Sequence, residues 1–150
     1  MAPKKSSPAN AGDLRTDIIL LVGRVLMAVV FLPGGFNKLL GLGAFAASLE
    51  ARGLPVSLSY LLALIGGGAE FFGALAVLFG FQIRCAAILM AIFVVVATGI
   101  AHRYWEFADP TTYRFQRSSF FKNVGIFAGF LFLFVSGGGR WSLDTMWKRR

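Results

Sequence analysis

The chain has 150 residues, of which 57% are hydrophobic and only 15% are charged. A soluble domain of this length needs more polar residues to cover its surface, so this composition and a mean hydropathy of +0.70 exclude a soluble fold and indicate a membrane protein. The net charge of +8 does not point to nucleic-acid binding, because nearly all Lys and Arg residues flank apolar runs, where membrane proteins carry them to fix orientation.

Four apolar runs follow a polar beginning. Each is near the length of about 20 residues that crosses a bilayer as a helix, and backbone hydrogen bonding in lipid requires helices where no barrel-like alternation is visible. The predicted fold class is therefore an all-α membrane protein, a four-helix transmembrane bundle. We predict a flexible tail at 1–16, a transmembrane domain at 17–138 with spans at about 18–36, 60–80, 85–101 and 120–135, and a basic tail at 139–150.

The first apolar run has a second interpretation as a cleaved signal peptide, since Ala44-Phe45-Ala46 resembles a cleavage site. The run is too long for a signal peptide, contains Arg24 and ends about eight residues before that site, so we favour an uncleaved span. The loop after it predicts a short interfacial helix at Ala44–Arg52, ended by Gly53 and Pro55. Residues 81–84 predict a tight turn, and the aromatic loop 103–119 predicts a segment at headgroup level.

The distribution of basic residues predicts the orientation. Eight lie on the side of both termini and five on the opposite side. The eight are Lys4, Lys5, Arg15, Arg84, Arg140, Lys148, Arg149 and Arg150; the five are Lys38, Arg52, Arg103, Arg114 and Arg117. The excess predicts that both termini are cytoplasmic.

Three charged residues, Arg24, Glu70 and Lys122, lie within predicted spans, where charges are costly and usually face the bundle interior. From the span boundaries, Glu70 and Arg24 differ in depth by only about 6 Å, which predicts an ion pair between them. The alternative is that Arg24 reaches the headgroups and Glu70 is protonated. Gly66 and Gly73 share a helix face with Glu70 and predict a helix contact there.

A second polar group collects at the opposite ends of the spans. His102 ends the third span, Lys122 and Asn123 open the fourth, and Lys38 follows the first. In a four-helix bundle these side chains could converge near the membrane surface. The alternative is headgroup anchoring, which we favour for Lys38 alone.

The chain has one His and one Cys, Cys85, so the sequence predicts neither a metal-ligand cluster nor an internal dithiol. Whether the protein is an enzyme stays open from the sequence alone.

Several of these residues resemble a known family. Arg24, Met27 and the string Gly35-Phe36-Asn37-Lys38 resemble the first-span pattern of the DoxX family of bacterial membrane proteins, and Gly67-Gly68-Ala69-Glu70 with Gly73 and Arg84 resembles its second-span pattern. The resemblance implies a four-span bundle in the bacterial inner membrane. It also implies a link to redox chemistry, because some relatives are subunits of quinone-linked sulfur oxidation or associate with redox and stress proteins.

Two function classes follow. The first is a membrane subunit of a redox or oxidative-stress system that binds a quinone, with Glu70 and His102 as candidate catalytic residues and Arg24, Lys122 and Asn123 as candidate cofactor-binding residues. The quinone would lie against phenylalanines such as Phe71, Phe72 and Phe127, and a soluble redox or stress-response protein would be the partner. The second class is a non-enzymatic membrane scaffold that recruits a partner.

Overall fold

The structure, a computed structural model, describes residues 11–148, so residues 1–10 of the predicted tail and residues 149–150 lie outside the described range. It contains six α-helices and one 3-10 turn in that range and no strand. The helices are α1 (Ala11–Leu40), α2 (Leu42–Glu50), α3 (Val56–Phe79), α4 (Ile83–Ala101), α5 (Pro110–Ser136) and α6 (Leu143–Trp147), and the turn is Tyr104–Glu106.

Four helices, α1, α3, α4 and α5, are long and apolar enough to cross a membrane. Many of their large apolar side chains face outward, as Ile19 and Phe132 do at 69% and 75% exposure. Outward apolar side chains are stable in lipid and would not be in water. The predicted four-span all-α membrane fold is confirmed.

Glycines bring the first two spanning helices into close contact. A Cβ atom on Gly35 of α1 would lie 2.6 Å from the backbone nitrogen of Phe71 in α3, and one on Gly34 would lie 2.6 Å from Oε1 of Glu70. Small residues at these positions therefore set the distance between α1 and α3. The other long pair is α4 with α5, and Phe31 of α1 meets Phe130 of α5 in the core between the pairs.

The short helix α2 lies across one end of the bundle. Ala46 and Leu49 of α2 are buried against Ala63 of α3. This end, which we call the α2 end, also holds His102, where α4 stops. The predicted short helix in the first loop is confirmed.

The fourth span is longer than the sequence analysis predicts. The apolar run at 120–135 is the second part of α5, which begins at Pro110, so most of the predicted 103–119 loop is helical. Asp109 caps this helix by accepting the Thr112 backbone N–H, and proline is favoured at the first helical position. Asp109 followed by Pro110 is the sequence signal that marks the start of α5.

Both described chain ends lie at the opposite end of the bundle, which we call the termini end. Arg140 pairs with Asp17 of α1 at 3.1 Å, and Asp144 of α6 accepts the backbone N–H groups of Gln82 and Ile83 at 2.7 and 2.8 Å. Ser142 is 1% exposed. Much of the segment predicted as a basic tail at 139–150 is thus packed against the bundle and caps the start of α4.

The boundary between tail and transmembrane domain also differs at the other terminus. Helix α1 begins at Ala11, so residues 11–16 of the predicted flexible tail continue the first span as helix. Where the two termini lie relative to the cytoplasm stays a prediction.

Candidate functional site

Glu70, the acidic residue in the middle of α3, forms an ion pair with Lys38. The ammonium of Lys38 donates to Oε2 of Glu70, and the side chain of Glu70 is 8% exposed while that of Lys38 is 33% exposed. The Lys38 ammonium also lies 5.1 Å from the ring centre of Phe45 and 6.0 Å from that of Phe93. The lysine predicted as a headgroup anchor is therefore turned into the bundle, and that prediction is wrong.

Helix direction explains why these two side chains meet. Side chains of an α-helix tilt toward its N-terminus, and α1 and α3 run antiparallel. Gly34, one turn before Lys38, contacts Glu70, so Lys38 starts about 6 Å nearer the α2 end by helical rise. Lys38 tilts away from the α2 end and Glu70 tilts toward it. The two side chains consequently close the difference in depth.

The predicted pair between Arg24 and Glu70 does not form. Arg24 precedes Gly34 by ten residues, which places it about 15 Å from the level of Glu70, opposite Gly80 at the end of α3. A Cβ atom on Gly80 would overlap the Arg24 guanidinium. Arg24 is fully buried there and donates to the carbonyl oxygen of Trp141 at 2.6 Å. The cofactor-binding candidate Arg24 thus belongs to the packing of the termini end.

The other candidate residues line one small cavity with the ion pair. Its volume is about 210 Å³, and it lies among α1, α3, α4 and α5. Its polar lining residues are Lys38, Glu70, His102, Lys122 and Asn123. We call this space the polar cavity. Residues that are distant in the sequence and that the sequence analysis selected separately therefore share one site.

The polar groups around the cavity are held by hydrogen bonds. Nδ1 of His102 and Oε1 of Gln116 lie 2.8 Å apart. Asn123 donates to the hydroxyl of Thr98 at 2.9 Å, and that hydroxyl donates to the Val94 carbonyl at 2.6 Å. These bonds link α4 to α5 at two levels, and they fix the imidazole and the amide at the cavity wall.

A second, larger space lies between α3 and α4 under α2. Its volume is about 810 Å³. Apolar side chains dominate its lining, and the few polar residues are Lys38, Ser48, Arg52, Gln82 and Cys85. It extends along α4 from Cys85 to Ala101, about 24 Å by helical rise. We call it the apolar groove. Because lipid surrounds the long helices, molecules dissolved in the bilayer have access to this groove.

The polar cavity and the apolar groove share a wall. Lys38, Phe93, Ala97 and Ala101 line both spaces. Phe93, Ala97 and Ala101 follow each other at intervals of four residues, so they form one stripe of α4. Two of the three are alanines, which makes the wall thin. A ligand in the groove thus lies next to the ion pair.

The aromatic residues at this wall differ from those that the sequence analysis named. Phe72 lines the groove, whereas Phe71 packs against Phe36 at 5.9 Å between ring centres and Phe127 packs on the core. Phe45 and Phe93, which flank the Lys38 ammonium, were missed. The alternation of phenylalanines with other apolar residues along a span carries no signal that separates a lipid-facing ring from one at a site.

Within residues 11–148, no three His, Cys, Asp or Glu side chains lie close enough together to hold a metal ion. The site offers ammonium groups, a carboxylate, an imidazole and an amide around a small cavity, beside a large apolar surface. Such a combination can bind a molecule that is mainly apolar and has a compact polar group.

Comparison with known proteins agrees with this architecture. The family model described as DoxX matches residues 19–103. Inner membrane protein YqjF of Escherichia coli (strain K12) is 33% identical over 134 residues, which cover 89% of this chain and 95% of that protein. Inner membrane protein YphA of the same organism is 29% identical over 127 residues, covering 85% and 89%. No solved structure shows significant similarity to the chain. From the extent of these matches, the chain belongs to the DoxX family of integral membrane proteins.

Proposed function

We propose that this protein binds a lipid-soluble quinone beside the Lys38–Glu70 pair and serves as a membrane subunit of a redox or oxidative-stress system. The observation that carries the proposal is the position of Lys38, whose side chain lines both the apolar groove and the polar cavity. A quinone has the matching form, with an apolar body and small carbonyl acceptors. When bound, it supplies a carrier of two electrons and two protons.

The residues at the wall would bind and orient the ring. The Lys38 ammonium is a donor for a quinone carbonyl. Phe45 and Phe93 approach this ammonium from two sides and offer aromatic surfaces to a planar ring. The Lys38 side chain is one-third exposed and its ammonium carries three N–H donors, so it can donate to a quinone carbonyl and to Glu70 at the same time.

Proton movement would use the polar cavity. Glu70 lines the cavity next to Lys38 and can accept a proton, and His102 lines it at the α2 end, where α4 stops. The cavity volume of about 210 Å³ accommodates several waters between these groups. Lys122 and Asn123 would add a positive charge and an amide donor along this route. A soluble redox or stress-response protein would supply or take the electrons.

Equilibrium binding of a radiolabelled short-chain quinone to the protein in lipid nanodiscs tests the proposal. We expect saturable binding that weakens about tenfold or more in Lys38→Met, since a charge-assisted hydrogen bond contributes about 1.5–3 kcal/mol. Glu70→Gln and His102→Ala should also bind differently from wild type. Arg103→Met is a matched control, because Arg103 is a partly exposed cation at the same end that lines neither space, and it should bind as wild type does.

Absence of saturable binding by the wild type, or equal binding by all the variants, would refute the quinone site. Co-purification of a stable protein partner without bound quinone would then favour the scaffold function.

A further inference from the structure

We infer that Gln116 is a positioning residue of the site, which fixes the tautomer of His102 so that Nε2 of the imidazole accepts protons from the polar cavity. This role rests on the proposed function, in which His102 takes part in proton movement, and it adds how the imidazole is held for that step. Gln116 lines neither the polar cavity nor the apolar groove, so it acts only through His102.

The hydrogen bond between Gln116 and His102 has a direction that its chemistry fixes. Oε1 of Gln116 lies 2.8 Å from Nδ1 of His102. An amide oxygen can only accept a hydrogen bond, so Nδ1 must carry the hydrogen. A neutral imidazole has one N–H group and one bare nitrogen, and the bare nitrogen is then Nε2. An isolated histidine side chain prefers the opposite tautomer, so the bond to Gln116 reverses the ordinary preference.

The position of Gln116 also determines which nitrogen of the imidazole faces the polar cavity. His102 lines the cavity, whereas Gln116 does not. The ring edge with Nδ1 is turned toward Gln116, and Nε2 lies on the other side of the ring. Among the side chains and backbone groups of residues 11–148, Nε2 has no hydrogen-bond partner. Its lone pair is therefore free to accept from water in the cavity.

The packing of α4 against α5 holds the two side chains in place. His102 is the C-terminal cap of α4, and the short connection after it reverses the chain direction into α5. Gln116 and Asn123 are seven residues apart, about two helical turns, so they lie on one face of α5. Asn123 donates to Thr98, which lies one turn before His102 on α4. Two hydrogen bonds on one face thus set the register that brings Gln116 within reach of the imidazole.

An uncharged amide suits this role better than a carboxylate would. Lys38 and Lys122 line the same cavity, and the carboxylate of Glu70 is bound to Lys38. A carboxylate in place of the Gln116 amide would pair with the imidazole in its charged form, and an imidazolium has no lone pair with which to accept a further proton. Glutamine orients the ring without adding a negative charge beside it, so the ring keeps a neutral form that can accept.

Proton transfer at His102 then uses one nitrogen. A protonated water in the cavity gives its proton to Nε2, so one O–H bond breaks, one N–H bond forms and the positive charge moves to the imidazole. Nδ1 keeps its hydrogen and its bond to Gln116 throughout. Because the neutral amide oxygen cannot take the Nδ1 hydrogen away, the proton also leaves from Nε2. His102 therefore holds a proton at the cavity wall and does not pass it across the ring.

The histidine content makes the tautomer directly measurable. His102 is the one histidine of the chain, so tag-free protein labelled with ¹⁵N-histidine gives the ring signals of this residue alone. We would record ring ¹⁵N spectra in nanodiscs without quinone, at about pH 8.5, where an ordinary imidazole is neutral. A nitrogen with hydrogen and a bare nitrogen give well-separated signals, and their couplings to the ring protons assign them. We expect hydrogen on Nδ1 and a bare Nε2 in the wild type.

Three variants test whether Gln116 is the cause. Gln116→Leu removes the acceptor with little change in size, so hydrogen should move to Nε2 in most molecules. Gln116→Glu keeps an acceptor oxygen at the same place, so Nδ1 should still carry hydrogen. Thr98→Val is the matched control, because it removes the hydroxyl that accepts from Asn123 and breaks the neighbouring bond between α4 and α5. It should keep the wild-type tautomer.

Several outcomes would overturn the role of Gln116. Hydrogen on Nε2 in the wild type would mean that Gln116 presents its NH₂ group to Nδ1. Hydrogen that stays on Nδ1 in Gln116→Leu, or that leaves Nδ1 in Thr98→Val, would mean that general packing of α4 on α5 sets the tautomer. Because the spectra are recorded without quinone, failure of quinone binding is a separate result. It would remove the proposed function and leave the tautomer assignment standing.

Discussion

Removing one member of the Lys38–Glu70 pair is expected to destabilise the bundle, and removing both is expected to cost less than the sum. Lys38→Met leaves a carboxylate that is only 8% exposed without its cation. Loss of one partner of a buried pair costs about 3–5 kcal/mol, and we expect the lower end because the lysine is partly exposed. Glu70→Gln should cost less, about 1–2 kcal/mol, since the remaining ammonium can reach a more polar site.

The double variant isolates the pair. We expect a coupling free energy of about 2 kcal/mol between the two substitutions, within the range for residues in direct contact. For a chain of this length, that corresponds to about 4–8 °C in the midpoint of thermal unfolding. The assay is thermal unfolding of the purified variants in a mild detergent, followed by circular dichroism.

Two control cycles make the result specific. Arg103 and Glu106 form an ion pair at 3.1 Å, but both side chains are more than one-third exposed, so their coupling should be about 0.5 kcal/mol or less. Arg24 and Glu70 lie about 15 Å apart along the bundle, so their substitutions should be additive within about 0.5 kcal/mol. Additive losses for Lys38 and Glu70, or a larger coupling between Arg24 and Glu70, would refute the arrangement described above.

Three further predictions concern local structure. Asp144→Ala removes the acceptor for two backbone N–H groups at the start of α4 and should lower the free energy of unfolding by about 1–2 kcal/mol, measured by chemical denaturation in detergent; an unchanged value would contradict the docking of α6. Gly35→Ala forces α1 away from the α3 backbone and should lower the free energy of unfolding by about 1–3 kcal/mol. Gly99 has open space around it, so Gly99→Ala should be neutral or stabilising in the same titration. Equal effects of the two substitutions would argue against the close contact. The Thr112 backbone N–H holds the pKa of Asp109 below its ordinary value. The cap therefore stabilises the start of α5 above about pH 4 and is lost as the pH falls through the lowered pKa. Hydrogen-exchange protection of the Thr112 amide should fall in that acid range in wild type but not in Asp109→Asn.

The sequence is sufficient to predict the membrane spans because their signal is local. An apolar run near 20 residues has no stable alternative to a helix in lipid, so the four spans follow from composition. The short α2 follows from a second local signal, the helix stop at Gly53 and Pro55. A polar residue within a span is also a local signal. Its insertion into lipid costs free energy, so such a residue usually has a structural or functional role. Glu70, His102, Lys122 and Asn123 were selected in this way, and all four line the polar cavity.

The pairing of helices does not follow from the same signal. The register of α1 against α3 is set by the contacts of Gly34 and Gly35, which no apolar run reveals. Span boundaries read from hydropathy placed Arg24 near the depth of Glu70, and an error of a few residues at each end moved it by about 9 Å. Lys38 lies at the end of the first apolar run, so the same span boundaries predicted a headgroup anchor at this position.

The packing at the termini end shows a second limit of prediction from the sequence. The segment after Gly137 is short and basic and contains no long apolar run, which is typical of a tail. Their order comes from contacts across the whole chain, with Asp144 capping a helix that begins 61 residues earlier and Arg24 bonding to a carbonyl 117 residues away. Such contacts are absent from any local pattern.

Photolabelling tests the central claim, that a quinone binds at the wall between the polar cavity and the apolar groove, most directly. The protein in nanodiscs would be irradiated with a quinone that carries a photoreactive group on its ring, and the labelled peptides would be identified by mass spectrometry. We predict that label concentrates on peptides containing Lys38, Phe45 or Phe93, and that Lys38→Met removes most of it. Label spread over lipid-facing residues such as Ile19 and Phe132, unchanged by Lys38→Met, would contradict the account.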